Sequence, residues 1–210
     1  MDLVNSYQAQ NNSNAVVDSS SSKSDLVQRI KTSLYKQERD RLWKVVKQVR
    51  NSTGKNKFFN NLVKIIQHEL KADRVLVYRF EDENSGQAIA EAISPGWTPA
   101  LNEAISCNCF GSLNALSFQT KGLVAIEDLN NAELTPYQKQ LFDRYQVQAS
   151  LALPILLNSV DSENGYELNQ VWGLIVVQQC NYSRQWQEDE INLLYNLTLE
   201  ATRILQSPSH

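Results

Sequence analysis

Histidine and cysteine are nearly absent from this sequence. Its 210 residues hold two histidines, His68 and His210, and three cysteines, Cys107, Cys109 and Cys180. Hydrolytic or metal chemistry that leans on several imidazoles is hard to build from such a set. Three cysteines do not make a disulfide framework, and an odd, small number fits thiols kept reduced in a cytoplasm. Cys107 and Cys109 stand two residues apart, closer than the usual spacing of a zinc half-site. The 7 glycines are scattered and form no phosphate-cradling fingerprint. No run approaches the ~18 consecutive apolar residues that span a bilayer. The opening Met1-Asp2-Leu3-Val4-Asn5 lacks the basic and apolar regions of a secretion signal. These absences predict a cytoplasmic protein with no membrane insertion and no bound metal.

What is present is enough apolar material for a core. The hydrophobic fraction is 42% and the charged fraction 20%, with both signs represented. At about 150 residues per domain, the length allows one domain with extensions. The net charge of −3 conceals a division. Residues 1–57 hold 11 Lys/Arg against 5 Asp/Glu, a balance of +6, and residues 58–210 hold 9 against 18, a balance of −9. A basic leader precedes an acidic body. Such a leader is a solvated helix face, or a surface for an acidic partner, for nucleic acid or for the acidic body itself. No base-reading motif accompanies it.

Residues 1–24 include Asn11-Asn12-Ser13-Asn14 and Ser19-Ser20-Ser21-Ser22 and offer little to bury, so a disordered tail is expected. Ser24 reads as the cap of a helix, with Asp25 in the first turn. Over about 25–55, Leu26, Val27, Ile30, Leu34, Leu42, Val45, Val46 and Val49 recur at three- and four-residue steps, ending near Asn51 to Gly54. The opposite face carries Arg29, Lys31, Lys36, Arg39, Lys44, Lys47 and Arg50. A helix this long needs an apolar partner for its stripe, either the domain or a second copy.

A second helix is expected at about 56–71. Arg74 to Phe80 alternates as a strand, Glu81 to Gly86 turns, and Gln87 to Ile93 returns as the other half of a hairpin. Residues 97–118 read as irregular. Leu123–Ile126 is a short strand. Thr135-Pro136 opens a helix to about Tyr145, with proline at its first position. Ala149–Leu156 is a strand, 158–169 a polar loop, and Val171–Gln179 a near-continuous apolar strand of central character. A last helix spans about 187–205. Hairpin connections predict an α+β fold, a mainly antiparallel sheet of about five to six strands flanked by helices, with long helices at both ends.

At this point the residues are similar to a known family. Ala72-Asp73-Arg74-Val75-Leu76-Val77-Tyr78-Arg79-Phe80, Cys109-Phe110, Gln146 to Ile155, Val171-Trp172-Gly173-Leu174-Ile175, Gln179-Cys180, and Trp186 through Ile191 occur in this order and spacing. Over about 56–206 the chain resembles a GAF domain of the phytochrome and cyanobacteriochrome kind. The resemblance implies a pocket for a linear tetrapyrrole between the sheet and the long loop. In pigmented members a cysteine near the start of the helix after the third strand forms a thioether to the bilin, and a histidine follows it. Those positions fall at Tyr137 and Gln138. A second histidine position falls at Gln178. A phenol does not add to the pigment as a thiol does, and an amide cannot carry the charge of imidazolium. The resemblance therefore implies a retained scaffold with no bilin cofactor.

Two alternatives stay open. One cyanobacteriochrome class has an Asp-Xaa-Cys-Phe motif in the loop. Here Cys107-Asn108-Cys109-Phe110 keeps the cysteine and phenylalanine, so Cys109 could capture a bilin. A cysteine redox enzyme of the methionine sulfoxide reductase kind is the other. Tyr137, Tyr145, Trp97, Phe110, Phe118 and Trp172 line whatever pocket remains, or are core aromatics. Glu127 and Asp128 read as a turn cap, and His68 as a surface residue. The favoured expectation is a non-catalytic regulatory module, acting as a homodimer and through an unidentified protein partner. The expected interface uses Leu34, Val45, Val49, Leu194, Leu197 and Ala201. No output domain is expected in the remaining length.

Overall fold

The computed structural model describes residues 19–50, 54–82, 85–106, 118, 122–160 and 167–207. The chain divides into two compact units, Met1–Arg41 and Leu42–His210. The first is helical in its described part. Helix α1 runs Ser19–Arg50, so it starts five residues ahead of the Ser24 cap that the sequence predicts, and its last turns belong to the second unit.

The second unit begins with those turns and continues through α2 (Lys55–Leu70), β1 (Arg74–Phe80), β2 (Ser85–Ile93), β3 (Ala104–Ser106), β4 (Val124–Ile126), α3 (Pro136–Arg144), β5 (Ala149–Val160), β6 (Glu167–Gln179) and α4 (Glu188–Gln206). The six strands form one sheet in the order β3-β2-β1-β6-β5-β4, and every pairing is antiparallel. The α+β class and the antiparallel sheet are as the sequence predicts. The apolar run Val171–Gln179 does lie centrally, between β1 and β5.

Alternation sorts the strands onto two faces. Val75 and Val77 of β1, Leu151, Leu153 and Ile155 of β5, and Ile175 and Val177 of β6 meet α2, α4 and the end of α1. Phe58, Leu62, Val63 and Ile66 of α2 and Leu194, Leu197 and Ala201 of α4 are fully buried there. Each such large side chain stabilises the fold by roughly 1.5–3 kcal/mol. Leu76 and Tyr78 of β1 and Leu174 and Val176 of β6 point to the other face, under Ala100, Ile105, Phe118, Leu129, Phe142, Tyr145 and Val147.

Further boundaries differ from expectation, and β2 starts at Ser85, inside the stretch read as a turn. The β5–β6 hairpin extends well into the segment read as a polar loop, because pairing from Leu156↔Val171 to Val160↔Glu167 is made by backbone groups that do not require apolar side chains. β1 pairs with β6 only from Gly173 to Gln178, so the outer part of that hairpin is a two-stranded ribbon. β3 lies in the stretch read as irregular. It has three residues, too few for a period to show, and it exists through pairing with Ser85–Gln87. The fourth strand starts at Val124 rather than Leu123.

Candidate functional site

The face opposite the long helices is built by parity from Arg74. Arg74, Leu76 and Tyr78 share one side of β1. Gln178 is directly across from Arg74 on β6, and Glu91 is across from Leu76 on β2. Three polar side chains are thereby carried into an apolar layer, where each needs partners. Arg74 is fully buried. Its Nε donates to Glu91 Oε1 at 3.1 Å, its Nη1 to Gln178 Oε1 at 2.9 Å and to the Tyr145 carbonyl at 3.1 Å, and its Nη2 to the Thr98 carbonyl at 2.5 Å. The guanidinium also stands 5.6 Å from the Tyr145 ring centroid.

Glu91 completes the arrangement. Its oxygens accept the backbone N–H groups of Ala100 (3.0 Å) and Leu101 (2.9 Å). The Arg74–Glu91 pair thus ties the segment Thr98–Leu101 to the sheet through three backbone groups, the Thr98 carbonyl and the Ala100 and Leu101 N–H groups. No buried side-chain nitrogen or oxygen among the described residues lacks a partner. Cys180 lies beside this cluster, its sulfur 3.8 Å from Arg74 Nη1. Burial pushes its thiol up to about 11, against the opposing pull of the nearby Arg74 charge. Such a thiol is a poor nucleophile at neutral pH.

Tyr78 anchors the same face from the other end. Its hydroxyl donates to the Ile105 carbonyl at 2.6 Å, fixing β3. Glycine is required opposite: a Cβ on Gly86 would stand 2.2 Å from the Arg79 carbonyl oxygen and 2.6 Å from the Tyr78 ring.

The residues at the positions where the resemblance implies bilin contacts are placed as follows. Tyr137, on the first turn of α3, is 48% exposed. Gln138 is buried and forms a capping box: Thr135 Oγ1 accepts the Gln138 N–H (3.3 Å), and Gln138 Oε1 accepts the Thr135 N–H (2.8 Å). Gln178 is buried and gives its carbonyl oxygen to Arg74. Gln138 and Gln178 therefore serve the chain's own fold. Cys107, Cys109 and Phe110 lie outside the described residues.

Of the aromatic candidates, Phe118 and Tyr145 are buried on this face. Trp172 is not on it. Between Ile155↔Gly173 and Leu156↔Val171 the register shifts past Trp172, and this bulge turns its side chain to the helical face, where it stacks on Phe59 at 5.3 Å. Asp128 caps a turn, accepting the Asn130 N–H at 3.0 Å. His68 is exposed, 3.6 Å from Glu69. Among the described residues no group of three or more His, Cys, Asp or Glu side chains is placed to hold a metal ion, and no helix is long and apolar enough to cross a membrane.

The residues expected at a dimer interface lie elsewhere than on a surface. Val45, Val49, Leu194, Leu197 and Ala201 are buried in the chain's own helical core, and the side chain of Leu34 lies outside the described residues. The stripe of α4 finds its partner inside the domain, because α2 and the sheet already cover it. The exposed apolar side chains of this side are Trp43, Tyr195 and Leu199. The Arg74–Glu91 pair was not singled out from the sequence. Its signal was an arginine in phase with Leu76 and Tyr78, and one carboxylate in the neighbouring strand.

A family model described as the GAF domain matches residues 56–203. Two curated cyanobacterial relatives come from Synechocystis. The chain is 33% identical over 141 residues to a putative methyl-accepting chemotaxis protein, covering 67% of this chain and 13% of that protein. It is 30% identical over 178 residues to the circadian input-output histidine kinase CikA, covering 73% of this chain and 22% of the kinase. The chain thus spans less than a quarter of either relative. Among solved structures, the blue-light-absorbing form of the Thermosynechococcus elongatus PixJ GAF domain superposes with a TM-score of 0.60 at 28% identity, covering 72% of this chain and 86% of that one. The chromophore-binding domain of Stigmatella aurantiaca phytochrome P1 shares the fold, with a TM-score of 0.66 at 17% identity over 81% of this chain and 60% of that one. On its family match, its relatives and its sheet, this chain belongs to the GAF domain family.

Proposed function

We propose that this GAF domain is a non-catalytic regulatory module that has given up bilin binding and acts through dimerisation and a protein partner. One observation carries the reading: the three positions where the resemblance implies bilin contacts are occupied by a half-exposed tyrosine and by two amides engaged in the fold. Tyr137 is 48% exposed, Gln138 closes the cap of α3, and Gln178 holds Arg74. The relatives named for chemotaxis and circadian input support a signalling role. The face that would receive a ligand carries large buried side chains of the chain itself, Tyr78, Phe118, Phe142 and Tyr145. A dimer would form on the exposed Tyr195 and Leu199 of α4 with Trp43 of α1, in place of the stripe that the core consumes.

Co-expression with bilin-producing enzymes tests the pigment claim. A colourless protein with no zinc-fluorescent band is the expected result. A coloured band that disappears in Cys109→Ala would overturn it in favour of a photoreceptor linked through the loop cysteine. Light scattering on the purified protein tests assembly, with a dimer expected at micromolar concentration and a monomer in the Tyr195→Glu/Leu199→Glu variant.

A further inference from the structure

Charge within the second unit is divided more sharply than in the chain as a whole. Residues 42–71 hold seven Lys/Arg and one Asp/Glu, a balance of +6, while residues 72–210 hold seven and seventeen, a balance of −10. The structure turns this division into a surface. On α2, Lys57, Asn60, Lys64 and His68 are exposed, and their steps of three, four and four place them in one row along the helix, with the exposed Lys71 following as its left-handed C-cap. Lys57 and Lys64 stand seven residues apart in this row, about 10.5 Å along the axis. Beside it lies the end of α1, where Lys44 and Lys47 are exposed and the Gln48 carbonyl accepts from Asn61 Nδ2 at 3.4 Å. None of these five lysines is ion-paired among the described residues. The acid in this stretch is Glu69, three-quarters covered and beside His68.

We infer that this ridge docks on the phosphate backbone of double-stranded DNA, without reading its sequence. The occupant follows from what the ridge offers and withholds. It offers ammonium and amide donors in a line, which suits a line of phosphates. The α2 row itself carries no aromatic or arginine anchor of the kind on which protein interfaces centre, the exposed Trp43 and its neighbour Arg50 standing on α1, and lysine is depleted in such interfaces. It also withholds what a membrane-lying helix inserts, because Phe58, Leu62, Val63 and Ile66 are buried in the chain's own core. Residues 72–210, with their balance of −10, repel a polyanion and favour its approach by the ridge.

The test is a titration of the full chain against a fluorescent random-sequence DNA duplex at several salt concentrations. Five phosphate contacts predict a slope of log K on log salt of about −4.5, and weak but measurable binding at ~50 mM salt. Replacing Lys57, Lys64 and Lys71 together with glutamine should lower the slope to about −2, with far-ultraviolet circular dichroism unchanged. Lys139→Gln, on α3, should leave binding as it is. No binding at the lowest salt overturns the inference. So does an unchanged slope in the triple variant, or tighter binding to phosphatidylserine vesicles than to the duplex.

Discussion

The two faces of one sheet solve the problem of burial differently. On the helical face, α2, α4 and the end of α1 bring mainly apolar side chains to the sheet, with Thr202 Oγ1 donating to the Leu156 carbonyl as a polar exception, and the packing rests chiefly on good fit. On the other face the cover is a short helix and loop segments, whose backbone groups must be satisfied one by one. There Arg74 and Glu91 supply the partners, and Tyr78, Gln138 and Gln178 supply more. The difference teaches that a sheet can be sealed by chain with little secondary structure if a buried ion pair organises it. It also means that errors on the two faces have different consequences: a lost methyl group leaves a void, while a lost charge leaves its partner stranded.

The sharpest way to break the comparison is Arg74→Met. It strands the Glu91 carboxylate in the core, and urea unfolding should show a loss of about 3–5 kcal/mol. Adding Glu91→Gln should recover part of that loss, which a pure packing role would not do. On the helical face, Leu62→Ala should cost about 2–5 kcal/mol by the void it leaves, with no recovery from any polar change nearby. Thr135→Ala removes one half of the α3 cap and should cost about 1 kcal/mol.

Glu200 sharpens the contrast on the helical side, for it is the buried acid there. Hydrogen bonds from Arg50 hold its pKa below the ordinary 4.5, opposed by burial and aided by Arg203. A lowered folded value means that the stability it contributes is present above pH 4.5 and is lost as pH falls through the folded value. The unfolding midpoints of the native protein and of Glu200→Gln should therefore differ at neutral pH and converge as pH falls through that lowered folded value. Last, the buried thiol of Cys180 should resist iodoacetamide in the native protein at pH 8 and label on unfolding, as read by peptide mass spectrometry.

Much of this architecture was legible in the residues, and the failures share a cause. β1 could be read because Val75, Val77 and Leu76, Tyr78 alternate between two buried faces. α3 could be read because Thr135-Pro136 starts a helix whatever its surroundings. β3 and the outer part of the β5–β6 hairpin could not, because both are held by backbone pairing to a neighbour and leave no apolar pattern. The stripe of α4 was correctly apolar, but a stripe does not state which surface it meets. Trp172 shows the same limit: one bulge reverses its side, and Gly173 beside it marks an irregularity without saying which way the side chain turns. At the site, Tyr137, Gln138 and Gln178 were picked by position, while the Arg74–Glu91 pair, which organises that face, emerges only when two strands are set side by side.

The outer β5–β6 ribbon has a practical consequence. Past Gly173, β6 has lost β1 as a neighbour, and β4 meets β5 only at Ser150–Ala152. The outer ladder from Leu157↔Gln170 to Val160↔Glu167 therefore bears none of the sheet's load. It is the natural splice point for a fluorescent reporter or an affinity handle, since cargo hung there would tug on two strands and leave the other four undisturbed.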